Sequence, residues 1–158
     1  MDLFEEYLEN KDTYEFVKRA LTAKSYKKEH QSLENKDVAT DLATLGDAII
    51  KLCYTKYFLD KVEQLSKEVE KYVTDERFVT VIARHYDLLK YIDYDDNDKN
   101  ILRNYDYKIP GKTSSGKNKK TSPHKYIATA VEAMIGAIYL ETNDLDKISE
   151  LLLQWKEL

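Results

Sequence analysis

The sequence predicts an all-α protein. Apolar residues recur at spacings of three and four through most of the 158 residues, and the β-branched alternation that marks strands is missing. Both prolines, Pro110 and Pro123, fall in one segment that also holds Gly111 and Gly116, two of the four glycines, so turn-forming residues punctuate the chain at one place. Length and composition describe a single domain, since a folded chain of this size buries roughly 70% of the surface its unfolded form exposes. Hydrophobic residues are 42% and charged residues 34% of the chain, the balance of a globular protein. No apolar run approaches the ~18 residues of a membrane span, and Asp2, Glu5 and Glu6 stand where a signal peptide is basic. A cytoplasmic location is expected.

Helices are expected at about 2 to 9, 12 to 23, 38 to 59, 62 to 72, 75 to 90, 97 to 104, 124 to 141 and 144 to 156. In the third, Leu42, Leu45, Ile49 and Leu52 form a core stripe, while Asp47 shares another face with Thr40, Ala43, Thr44 and Tyr54. Cys53, the one cysteine, lies in the same apolar run and reads as a buried core thiol. In the helix at 124 to 141, Ile127, Val131, Met134 and Ile138 make the core stripe, and Glu132 lies near Ala128, Thr129 and Gly136 on the adjoining face.

Gly46 and Gly136 interrupt these two helices. A glycine inside a helix costs about 1 kcal/mol against alanine, so their presence implies that two helix backbones come unusually close. Each glycine has an acid nearby, Asp47 and Glu132, and the two acids would meet across the contact. A carboxylate among apolar neighbours must be hydrogen-bonded, neutralised or metal-bound. Two facing carboxylates describe a metal-dependent site acting on a phosphate backbone.

The formal net charge of −4 hides a segregated distribution. Between Tyr107 and Lys125 lie Lys108, Lys112, Lys117, Lys119, Lys120 and Lys125 without an Asp or Glu, in a stretch rich in Ser, Thr, Gly and Pro. Such a loop is either a solvated linker or a surface for a polyanion, and the absence of acids favours the polyanion. Other motifs carry less. Asp93 to Asp98 resembles the start of a calcium loop, but Asp98 and Asn104 stand where glycine and glutamate are needed. His30, His85 and His124 lack ligand spacing. Gly111-Lys112-Thr113 mimics the end of a phosphate-binding loop, yet Asp106 replaces the upstream glycine.

Three ordered segments carry a family resemblance: Ala20 to Tyr26; Leu42-Ala43-Thr44-Leu45-Gly46-Asp47-Ala48-Ile49; and, after the basic loop, Ala130-Val131-Glu132-Ala133-Met134-Ile135-Gly136-Ala137-Ile138-Tyr139-Leu140-Glu141. Over about residues 12 to 155 the chain resembles the ribonuclease III catalytic domain. That resemblance implies an all-helical homodimer that cuts double-stranded RNA with magnesium, Mn2+ being able to substitute, each subunit hydrolysing one strand. Asp47 and Glu132 would be the catalytic and metal-binding acids, and Lys112, Lys117, Lys119 and Lys120 the RNA-binding lysines.

Larger family members carry a glutamate four residues before the first acid and an aspartate three residues before the second. Here Ala43 and Thr129 stand at those positions. The pattern is similar to the Mini-III subgroup, which keeps two acids and has no double-stranded-RNA-binding domain; a single domain over residues 1–158 is expected on that basis. The Ala20 to Tyr26 and Ala137 to Glu141 segments lean to the larger enzymes, and Thr44 replaces a bulky aromatic common ahead of the first glycine. Maturation of structured precursors such as ribosomal RNA follows from the resemblance alone. The rival expectation, resting on the two missing acids, is a catalytically silent domain that binds RNA or a ribosomal partner.

Overall fold

The computed structural model describes residues 1–96, 99, 105–108 and 123–158. The described residues are helical, with an isolated parallel bridge between Thr22 and Asp93. In order they form α1 (Leu3–Glu9), α2 (Glu15–Ala20), α3 (Lys24–Glu29), a 3-10 turn (Asn35–Asp37), α4 (Thr40–Phe58) and α5 (Leu65–Glu70). Then come α6 (Asp75–Arg77), a π-helical stretch (Phe78–Ala83), α7 (Arg84–Tyr86), a 3-10 turn (Leu88–Lys90), α8 (Pro123–Thr142) and α9 (Leu145–Lys156). Short polar residues start several of them. Asp2 accepts the Glu5 amide, Thr74 the Arg77 amide, and Asp144 the amides of Asp146 and Lys147, each satisfying donors that a helix start leaves unpaired.

Helix α8 is the central element. Ile127, Val131, Met134 and Ile138 are fully buried as the spacing predicts, and Ala133, Ile135 and Ala137 are fully buried as well, so α8 is covered on more than one side. α4 packs along it most extensively, with α2 and the π-helical stretch on its flanks. Cys53 is buried in this core.

Several expectations are corrected by tertiary contacts. The helix expected at 12 to 23 is confined to α2, because the Ala23 amide donates to the Asp93 carbonyl at 2.9 Å and the Asp93 amide to the Leu21 carbonyl at 2.8 Å. The helix expected at 75 to 90 contains the π-helical stretch and ends at Asp87, which adopts a left-handed conformation (φ 49°). Tyr107 locks that break: its hydroxyl donates to Asp87 Oδ1 at 2.8 Å and accepts the Leu89 amide at 3.0 Å. α3 and the 3-10 turn at Asn35–Asp37 were not expected. The helix expected at 97 to 104 falls, Lys99 apart, outside the described residues.

Leu52 is 53% exposed, not in the core. The buried side of α4 runs through Leu42, Gly46, Ile49, Ile50 and Cys53, while Thr44, Ala48, Lys51 and Leu52 form an outward strip. Tyr54, expected beside Asp47, is buried, its hydroxyl donating to the Leu152 carbonyl at 2.9 Å. Two turns of helix, about 10 Å, separate the two residues on one azimuth, and α9 covers the later one.

Candidate active site

At Gly46 and Gly136 the seam between α4 and α8 brings the two backbones together. A Cβ placed on Gly46 would stand 1.7 Å from the Glu132 carbonyl oxygen, and one on Gly136 would stand 2.3 Å from the Leu42 carbonyl oxygen. Both are far inside van der Waals contact, so the backbones touch and only glycine fits. This close approach explains two glycines in helix interiors, where each otherwise costs stability. It also sets the acids together, because the carbonyl that rests on Gly46 belongs to Glu132 and Asp47 is the next residue of α4.

The electrostatics record their proximity. Burial, then the charge of Asp47 and a hydrogen bond with it, push the Glu132 carboxyl up to about 8. Asp75, the first residue of α6, raises it further, and Lys51 opposes the rise. Lys51 lies one turn beyond Asp47 on α4, with Nζ 2.8 Å from Asp47 Oδ2. Hydrogen bonding to Asp47 holds the Lys51 ammonium above its ordinary pKa, with Glu132 adding to the effect. The Asp47 side chain remains 37% exposed, so the pair opens to solvent.

Asp75 was not anticipated from the sequence. Thr74-Asp75-Glu76 reads as an ordinary capped helix start, and only the packing of α6 against α8 brings it near Glu132. The same carboxylate favours the protonated form of His124, whose pKa burial lowers. Ala43 is buried one turn before Asp47, and Thr129 is half-buried one turn before Glu132. Neither supplies a carboxylate. Among the described residues no group of three or more His, Cys, Asp and Glu side chains is arranged to hold a metal ion. Lys112, Lys117, Lys119 and Lys120 lie outside the described residues.

A helical domain with a glycine seam and an acid pair beside it defines a class, and the sequence places the chain within it. The family model of the ribonuclease III domain matches residues 40–143, a span running from the first residue of α4 past the end of α8. The chain belongs to the ribonuclease III domain family. It is 30% identical over 149 residues to ribonuclease 3 of Borreliella afzelii (strain PKo), a match covering 89% of this chain and 53% of that protein. The chain thus spans about half the length of this curated relative. Two structures of the nuclease domain of ribonuclease III from Campylobacter jejuni are similar to it. One, described for structural flexibility in a region involved in dimer formation, has a TM-score of 0.66 at 25% identity, covering 95% of this chain and 94% of that one. The other, solved at 2.2 Å, has a TM-score of 0.65 at 26% identity, covering 95% and 91%. Among the described residues no helix is long and apolar enough to cross a membrane.

Proposed function

We propose that the chain is a magnesium-dependent endoribonuclease that hydrolyses double-stranded RNA as a homodimer, with Asp47 and Glu132 as its essential acids. The observation that carries this reading is the side-by-side placement of two partly open carboxylates by a backbone contact, inside the span that matches the ribonuclease III domain. A partly buried, crowded carboxylate pair with too little positive charge is a donor set suited to a small dication. Magnesium takes oxygen ligands and keeps several waters, so two protein carboxylates suffice, and manganese accepts the same donors. Asp47 and Glu132 would hold the ion. When bound, it supplies acidification of a water and neutralisation of charge at the scissile phosphate.

The remaining groups assist binding. Lys112, Lys117, Lys119 and Lys120 would meet phosphates of the duplex without regard to sequence. The outward strip of α4, with Thr44, Ala48 and the exposed Leu52, offers a self-complementary surface for a two-fold dimer. Such a dimer sets two sites across one minor groove so that both strands are cut. Structured precursors such as ribosomal RNA fall within this substrate class. Ala43 and Thr129, like the two retained acids, agree with the Mini-III pattern.

The test is incubation of pure protein with a perfect RNA duplex, with and without magnesium over a range of salt, alongside sedimentation. Staggered double-strand cuts with 5′-phosphate ends from a dimer are expected. Binding without cutting at any magnesium concentration would identify the silent domain to which the missing acids at 43 and 129 point. Cleavage by a monomer would overturn the two-site geometry.

A further inference from the structure

The acid pair is served by a cation of its own. Lys51 reaches Asp47 Oδ2 at 2.8 Å across one helical turn, and its charge also acts on Glu132. It stands on the outward strip of α4, where its neighbours Thr44, Ala48 and Leu52 are uncharged. In the single subunit its side chain is 54% exposed and has room to turn away from Asp47. An i,i+4 pair of this kind is individually weak. It can therefore be given up to a competitor of higher charge.

Resting on the metal-dependent reading above, we propose that Lys51 is a built-in competitor for the divalent ion, occupying Asp47 until the ion and the RNA arrive together. An ammonium on Asp47 Oδ2 and a dication on the same carboxylate repel each other, so the ion must displace the lysine head. Duplex RNA changes that balance. A phosphate beside the site offers the displaced ammonium another anion, so RNA strengthens ion binding and, by reciprocity, the ion strengthens RNA binding. Lys51 thus acts through Asp47 as a positioning and regulatory residue. The site of the free protein stays weakly loaded.

The experiment titrates Mn2+ into RNA-free protein and follows the free ion by its spin-resonance signal. Wild type, Lys51→Met, Lys51→Arg, Lys56→Met and Asp47→Asn are compared. Methionine keeps helix propensity at an exposed position, so Lys51→Met should fold. Its Mn2+ dissociation constant is expected to fall about fivefold, whereas Lys51→Arg stays near wild type. Lys56→Met, which removes another exposed α4 lysine, should shift the constant less than twofold and so separates direct contact from net charge. If Lys51→Met binds Mn2+ no more tightly while Asp47→Asn loses it, the competition proposed here fails and the metal reading stands. If Asp47→Asn binds as well as wild type, the metal reading fails, and the competition with it.

Discussion

The glycine seam and the aromatic cluster joining α1, α7 and α9 both hold carboxylates, and they treat that charge in opposite ways. In the cluster, Phe4 packs against Tyr86 and Trp155 with ring centroids 4.6 and 5.2 Å away. Trp155 Nε1 donates to the Tyr86 hydroxyl at 2.8 Å, and that hydroxyl donates to Asp2 Oδ2 at 2.5 Å. Asp2 Oδ1 takes the Glu5 amide at 2.9 Å, so both of its oxygens have donors. At the seam, Glu132 faces Asp47 and Asp75, and the nearby ammonium bonds to Asp47. A carboxylate with donors on both oxygens stiffens a fold. A crowded pair short of cations is receptive to a ligand.

The sharpest way to break this contrast is to neutralise the seam acids. Asp47→Asn and Glu132→Gln should each lower duplex cleavage by at least ~100-fold, about 2.7 kcal/mol of barrier, while both variants stay folded and melt cooperatively without metal, since each change conserves volume. Single-turnover cleavage assays and thermal melts check both halves. Thr129→Ala should be much milder.

Next in size is the backbone contact itself. Gly46→Ala must push α4 away from the Glu132 carbonyl, which should cost ~3 kcal/mol or more by denaturant unfolding. Tyr86→Phe, in the cluster, strands the Trp155 donor and one Asp2 oxygen and should cost about 1–3 kcal/mol. Cleavage should survive in Tyr86→Phe, because its bonds touch nothing at the seam. Loss of cleavage in a folded Tyr86→Phe protein would erase the distinction between the two regions.

Binding gives a smaller effect. Neutralising Lys117, Lys119 and Lys120 together should flatten the salt dependence of duplex affinity, each lost phosphate contact removing roughly 0.9 from the log-log slope if duplex RNA behaves as duplex DNA does. An unchanged slope in a filter-binding series would return this segment to a linker.

The last expected effect is on pH-dependent stability. Glu132 holds its proton up to about pH 8 in the folded protein, against an ordinary value of 4.5. Between those values the folded state carries a proton that the unfolded chain has released. Its contribution is therefore fully present below the lower value, is lost as pH rises through the interval, and levels off above it. Thermal melts in chelator across that range should show the decline in wild type and a shallower one in Glu132→Gln.

The sequence by itself determined the helical class, the buried stripe of α8 and the close approach at Gly46 and Gly136, because helical periodicity and the cost of interior glycine are local properties. It also marked Asp47 and Glu132, since each lies near a glycine whose helix backbone must be approached. Tertiary structure alone decided that Leu52 faces outward, that Tyr54 is covered by α9, and that Asp87 ends a helix against the Tyr107 hydroxyl. It alone brought Asp75 toward Glu132. The physical reason is the same in each case. Periodicity tells which residues share a face of one helix, but what covers that face, or which distant charge it meets, is set by elements far away in the chain.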